Sequence, residues 1–170
     1  MSRRLRASRR AWIPSGAQAT TPLALLHIAA IALHVLFGAA WFGLAIALSI
    51  VSKEAAHSDS RGAAIAARAI VDSLSAVATV FYGFAVLNVI LGSLIGAAYS
   101  WPYHLALALG LVLLVAQFAL IRPGAIAMRS HLGTPLGRAG RSRIGLGLGI
   151  GQAAWLGMVL LMYVHRLGTL

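Results

Sequence analysis

The chain has 170 residues, 60% of them hydrophobic and only 10% charged, against about a quarter charged in an ordinary soluble domain. Its 14 Lys and Arg against three acids give a net +11, but that charge sits in the N-terminal tail and between the apolar runs, where lipid headgroups attract it, so nucleic acid is not the expected partner. The absence of cysteine removes disulfides, iron–sulfur clusters and thiolate zinc sites, leaving His, Met, carboxylate and backbone groups as ligands.

Residues 1–22 form a polar tail carrying Arg3, Arg4, Arg6, Arg9 and Arg10. The apolar run behind it is too long for a signal-peptide core, so it reads as a retained helix. Four apolar segments follow, at 23–52, 73–98, 101–121 and 144–166, each long enough to cross a bilayer. Backbone groups in lipid must be satisfied within the segment, so each is expected to be helical. The expected fold is all-α: an integral membrane four-helix bundle over residues 23–170, with multi-pass insertion in a bacterial inner membrane.

In the first span, His27, His34 and Trp41 are spaced by seven, which at helical pitch places them on one stripe. The first loop, Lys53 to Asp72, holds all three acids, Glu54, Asp59 and Asp72. No carboxylate pair is therefore available inside the membrane for acid–base chemistry. The second span offers Asn88, Gly92 and Gly96 at spacing four, a ridge suited to close helix contact. Tyr99, Trp101 and Tyr103 mark one membrane surface, because Trp and Tyr prefer the interface.

His104 opens the third span. The third loop, Arg122 to Arg143, carries five arginines and no acid. The fourth span repeats small residues at Gly145, Gly149, Ala153 and Gly157, and sets Trp155, Met158, Met162 and His165 on one face. Orientation is nearly balanced. An N-terminus outside puts eight basic residues in the cytoplasm and the reverse puts six there, which favours N-out.

Crossing alternately, the spans carry His27, His34, His104 and His165 towards the face that holds the N-terminus. A single buried imidazole is commonly structural, bonded to a carbonyl or to a residue such as Asn88, and interfacial histidines are common. Several converging imidazoles in lipid point further, to a metal or haem site, because ionisable groups there are costly. The candidate cofactor contacts are His34, His27, His104, His165, Trp41 and Met162, with the four histidines as metal ligands. Haem b suits bis-histidine or histidine–methionine ligation, and copper is the alternative. His57 and His131 fall in loops on the other side and read as solvated.

The run His34-Val-Leu-Phe-Gly-Ala-Ala-Trp41-Phe-Gly43-Leu44 resembles the His-x6-Trp-x-Gly-Leu of copper-resistance-D-like membrane proteins. The bacterial haem-dependent membrane protoporphyrinogen oxidases are similar there. The resemblance implies a small helical bundle, with His34 as a haem b ligand. Ala45-Ile-Ala-Leu-Ser49 replaces the aromatic, proline and arginine-rich exit of the oxidase family, and Lys53 is the only lysine. The expectation is thus haem binding without protoporphyrinogen oxidation. An electron-transfer subunit of a larger respiratory or photosynthetic assembly, exchanging with quinone, is the leading reading. A cofactor-free accessory subunit gripping other membrane subunits and a copper-import protein are the alternatives, and an electron-transfer or accessory subunit is favoured over a stand-alone enzyme without excluding one.

Overall fold

The computed structural model describes residues 21–167, with side chains to residue 163. The arginine-rich tail therefore lies outside the described residues, as does the His165 side chain. The elements are α1 (Pro22–His57), α2 (Arg61–Leu94), α3 (Trp101–Ala116), a π turn (Gln117–Ile121), α4 (Arg122–Ser130) and α5 (Pro135–Leu167). Because α3 runs through the π turn into α4, the molecule is a bundle of four rods. Each has a stretch long and apolar enough to cross a membrane.

The starts follow ordinary capping rules. Thr21 accepts from the Ala24 amide at 3.3 Å with Pro22 in the first turn, and Ser60 accepts from the Ala63 amide at 3.2 Å. After α2 the chain turns at Gly96, whose φ of +81° needs a residue without a Cβ. Gly96 is thus a turn residue and not part of a packing ridge.

Two loops are shorter than the charge pattern suggests. The first loop, 53–72, shrinks to residues 58–60, its Arg61–Arg68 half extending α2 as the sequence allowed, and the expected third loop, 122–143, shrinks to residues 131–134. Charge-free runs mark what lipid tolerates, whereas a helix continues wherever its inner face stays small and apolar. Here Ala55, Ala64, Ala67, Ala125, Met128 and Ile144 keep that face buried beyond the charged positions. Pro123-Gly124 also does not break the rod. Proline lacks the amide that would bond four residues back and crowds that carbonyl. The helix widens over Gln117–Ile121 instead, and the Arg122 amide bonds Gln117 O, five residues back.

α1 buries Trp41, Ala45, Leu48, Ser52 and Ala55, while α2 buries Ala64, Ala67, Val71, Leu74, Ala78 and Phe81. Both series alternate steps of three and four, the seam of a left-handed antiparallel pair. Alanine-rich seams bring the backbones close. α5 uses the same pattern through Gly140, Ile144, Gly147, Gly151, Ala154 and Met158. The expected ridge at spacing four is therefore not the contact face. A Cβ at Gly149 would meet nothing within 4 Å, and one at Gly145 only the Arg141 side chain of its own helix. Of that ridge Gly157 does pack, with Leu109 Cδ1 3.0 Å from its Cβ position. Steps of four drift by about 40° each round the helix, so such a ridge cannot follow one neighbour for long.

From Trp101 to Arg122 the chain climbs 21 residues, about 32 Å at ~1.5 Å per residue, which matches a hydrocarbon core of about 30 Å. Arg143 packs beside Gly124, two residues past Arg122, and Asp72 lies three residues outward of Ser75, the partner of Gln117. Beyond Arg122 the helices continue as a packed extension. All the basic residues from 21 to 163, namely Lys53, Arg61, Arg68, Arg122, Arg129, Arg138, Arg141 and Arg143, lie from this boundary outward. Between the boundaries Leu25, Leu26, Val35, Leu36, Ile90, Val115 and Leu160 face outward, the side lipid covers. Single-cysteine variants in sealed vesicles should report this topology. Thr21→Cys and Tyr163→Cys are expected to label from one side, and Ser58→Cys and Thr134→Cys from the other. Labelling of Thr21→Cys and Tyr163→Cys from opposite sides contradicts four crossings.

Candidate functional site

The stripe of His27, His34 and Trp41 is the inner seam of α1. His34 is buried, 8% exposed, and its Nδ1 lies 3.1 Å from the Phe81 carbonyl of α2. A carbonyl only accepts, so Nδ1 carries the proton and Nε2 keeps its lone pair. The ring also stacks on Phe81, centroids 4.4 Å apart at 13°. Of the two structural partners the sequence suggested, a carbonyl and Asn88, the carbonyl is the one used. Nε2 has no hydrogen-bond partner among the described residues.

One turn further on, Gly38 makes room for the neighbours of this ring. A Cβ there would lie 2.9 Å from Phe81 Cε2 and 3.4 Å from Trp155 Nε1. Trp155 in turn stacks on Phe42 at 4.6 Å. Phe81 of α2 thus covers His34, and Trp155 of α5 and Phe42 of α1 continue the aromatic packing along the seam beyond Gly38. Trp41, one heptad deeper, is fully buried, its indole edge against Gly151.

The other candidates are placed differently. His27 is half-buried and His104 is exposed at the start of α3. Met162 is 43% exposed, whereas Met158 is buried, its sulfur 3.6 Å from the Cβ position of Gly110, which Tyr82 also flanks. Trp155, Met158 and Met162 thus do not share one environment. The methionine directed into the bundle is Met158, because the α5 seam passes through 151, 154 and 158. Among the described residues no three of His, Asp and Glu gather as a metal-holding group.

Two polar features were not read from the sequence. Near the N-terminal face, Tyr99 Oη donates to Asn88 O at 2.8 Å, and Asn88 Nδ2 donates to Ala30 O at 3.4 Å. These bonds tie the α2–α3 turn to α2, and α2 to α1. At the π turn, Gln117 is fully buried and its Nε2 donates to Ser75 Oγ at 2.9 Å. The available signal was a lone carboxamide inside the charge-free 101–121 run. No protein-family model, curated protein or solved structure matches this chain.

Proposed function

We propose that this chain is a multi-pass membrane subunit that holds haem b on His34 and passes electrons, to or from quinone, inside a larger bacterial inner-membrane assembly. The observation that carries the reading is the bond from His34 Nδ1–H to the Phe81 carbonyl. A histidine ligand characteristically gives its other ring N–H to such a carbonyl, which sets the tautomer and turns the lone pair of Nε2 outward for iron. His34 would hold the iron through Nε2, and Met158 on α5, whose sulfur lies by Gly110 and Tyr82, the residue after Phe81, is the candidate for a second donor. His27, two turns away on the same face of α1, cannot reach the same iron. Bound haem supplies one-electron chemistry. The chain's part is to orient the imidazole through Phe81 and to keep water away with Phe42, Phe81 and Trp155.

Copper is less well served, since no second and third His or carboxylate donors join His34 among the described residues. The acids Glu54, Asp59 and Asp72 lie at or beyond the far boundary, which supports an electron-transfer or accessory role over independent acid–base catalysis. Eight basic residues on that far face against six on the N-terminal side tip the positive-inside count only narrowly towards an N-terminus outside. A second reading rests on the same imidazole: stacked and bonded to Phe81, it is also stable as a structural histidine of a cofactor-free accessory subunit.

The visible spectrum of the protein, purified gently with its natural partners, tests the proposal. A Soret band with a reduced-minus-oxidised signal of b-type haem is expected, with iron by metal analysis. A colourless, iron-free preparation overturns the haem reading and leaves the accessory one.

A further inference from the structure

Two fully buried polar atoms have no partner near the middle of the bundle, Trp41 Nε1 and Gln117 Oε1. One is a donor and the other an acceptor. We propose that Trp41 and Gln117 share one buried water molecule at the π turn, which accepts from the indole N–H and donates to the carboxamide oxygen.

The assignment of the Gln117 amide is settled by its neighbour. Ser75 Oγ donates to Val71 O at 2.8 Å, so its proton is committed and it can only accept from Gln117. The Gln117 nitrogen therefore faces Ser75, and its oxygen is the atom left over. Both residues reach the same level. His34 lies opposite Phe81 in an antiparallel pair, so seven residues onward Trp41 lies opposite Leu74, next to Ser75. Helical side chains lean towards the N-terminus of their own helix, so the Gln117 amide lies towards Leu113. Leu113 is itself 3.9 Å from the Cβ position of Gly151, the glycine that the Trp41 indole covers.

Orphan polar atoms inside a protein are rare, and bound water is their usual explanation. In a bilayer the penalty is greater, because no bulk water competes for the groups. The occupant is neutral, since no Asp, Glu, Lys or Arg side chain is buried among the described residues. It is small, since Gly151 and Leu113 already pack around the indole. Ser75 Oγ keeps a second lone pair, so the water has up to three partners, from α1, α2 and the π turn. The inference is independent of haem and does not use His34 as a ligand.

The test is the contact between the Trp41 indole proton and water, read by NMR on 15N-Trp-labelled protein in nanodiscs. The Trp41 signal is assigned by its loss in Trp41→Phe. A cross-peak to long-lived water is expected in the wild-type protein. In Gln117→Met, similar in length but without the acceptor, that cross-peak should weaken or vanish and the indole shift move. The wild-type spectrum alone is decisive if the variant fails to fold. No water cross-peak on an assigned Trp41 signal overturns the proposal. So does a shift showing a direct indole–carboxamide bond.

Discussion

Gly140→Ala separates α4 from α5 and lowers the stability of the bundle by roughly 1–3 kcal/mol or more, the usual range for overpacking. The added Cβ would lie 2.6 Å from both Gly124 O and Met128 N, which are main-chain atoms. A side chain can rotate away from such a clash, but a backbone carbonyl on a neighbouring helix moves only if the helix moves. The contact is reciprocal, because a Cβ at Gly124 would lie 2.7 Å from Gly140 O. Gly149→Ala is the matched control. Its Cβ meets nothing within 4 Å, and alanine is the better helix former by about 1 kcal/mol. Thermal unfolding in detergent should show a clear fall in midpoint for Gly140→Ala and no fall for Gly149→Ala. Equal midpoints would mean that α5 does not pack through the seam of Gly140, Gly147 and Gly151.

His34→Ala should remove the haem spectrum, whereas His57→Ala and His131→Ala should leave it intact. The expected effect is complete loss of the Soret band or a shift to a different ligation state, because no other described imidazole lies beside Phe81. His34→Met is the informative companion. It retains a ligand of another kind and should give a shifted spectrum, where a purely structural role predicts no spectral change. Without haem, the same His34→Ala change removes a stack and one hydrogen bond, together worth roughly 1–3 kcal/mol. A wild-type Soret band unaltered in both His34 variants would move the ligand elsewhere.

The stripe of His27, His34 and Trp41 was readable because spacing by seven is a property of a single helix. That His34 rests on Phe81 was not readable. Phe81 lies 47 positions away, and its register against α1 is set by two alanine-rich seams meeting. Met162 and Met158 carry equal weight in the sequence, being four apart on one helix. Only the position of α3 distinguishes them, by placing Gly110 and its neighbour Tyr82 against the Met158 sulfur.

By itself the sequence determined four apolar spans, the interfacial aromatics at Tyr99–Tyr103 and a chain without thiol chemistry. Hydropathy and composition act residue by residue and need no partner to be felt. The tertiary structure decided where the helices end and which face of each turns inward. The stretch from Arg122 reads as a loop until the neighbouring helices hold the rod together and the π turn absorbs the amide missing at Pro123. The glycines of α5 read as one ridge until α3, α4 and α1 select another, at Gly140, Gly147 and Gly151. Lipid cannot make that choice, because it solvates both faces alike. The choice comes from the close backbone approach that only the facing helices, in one register, allow.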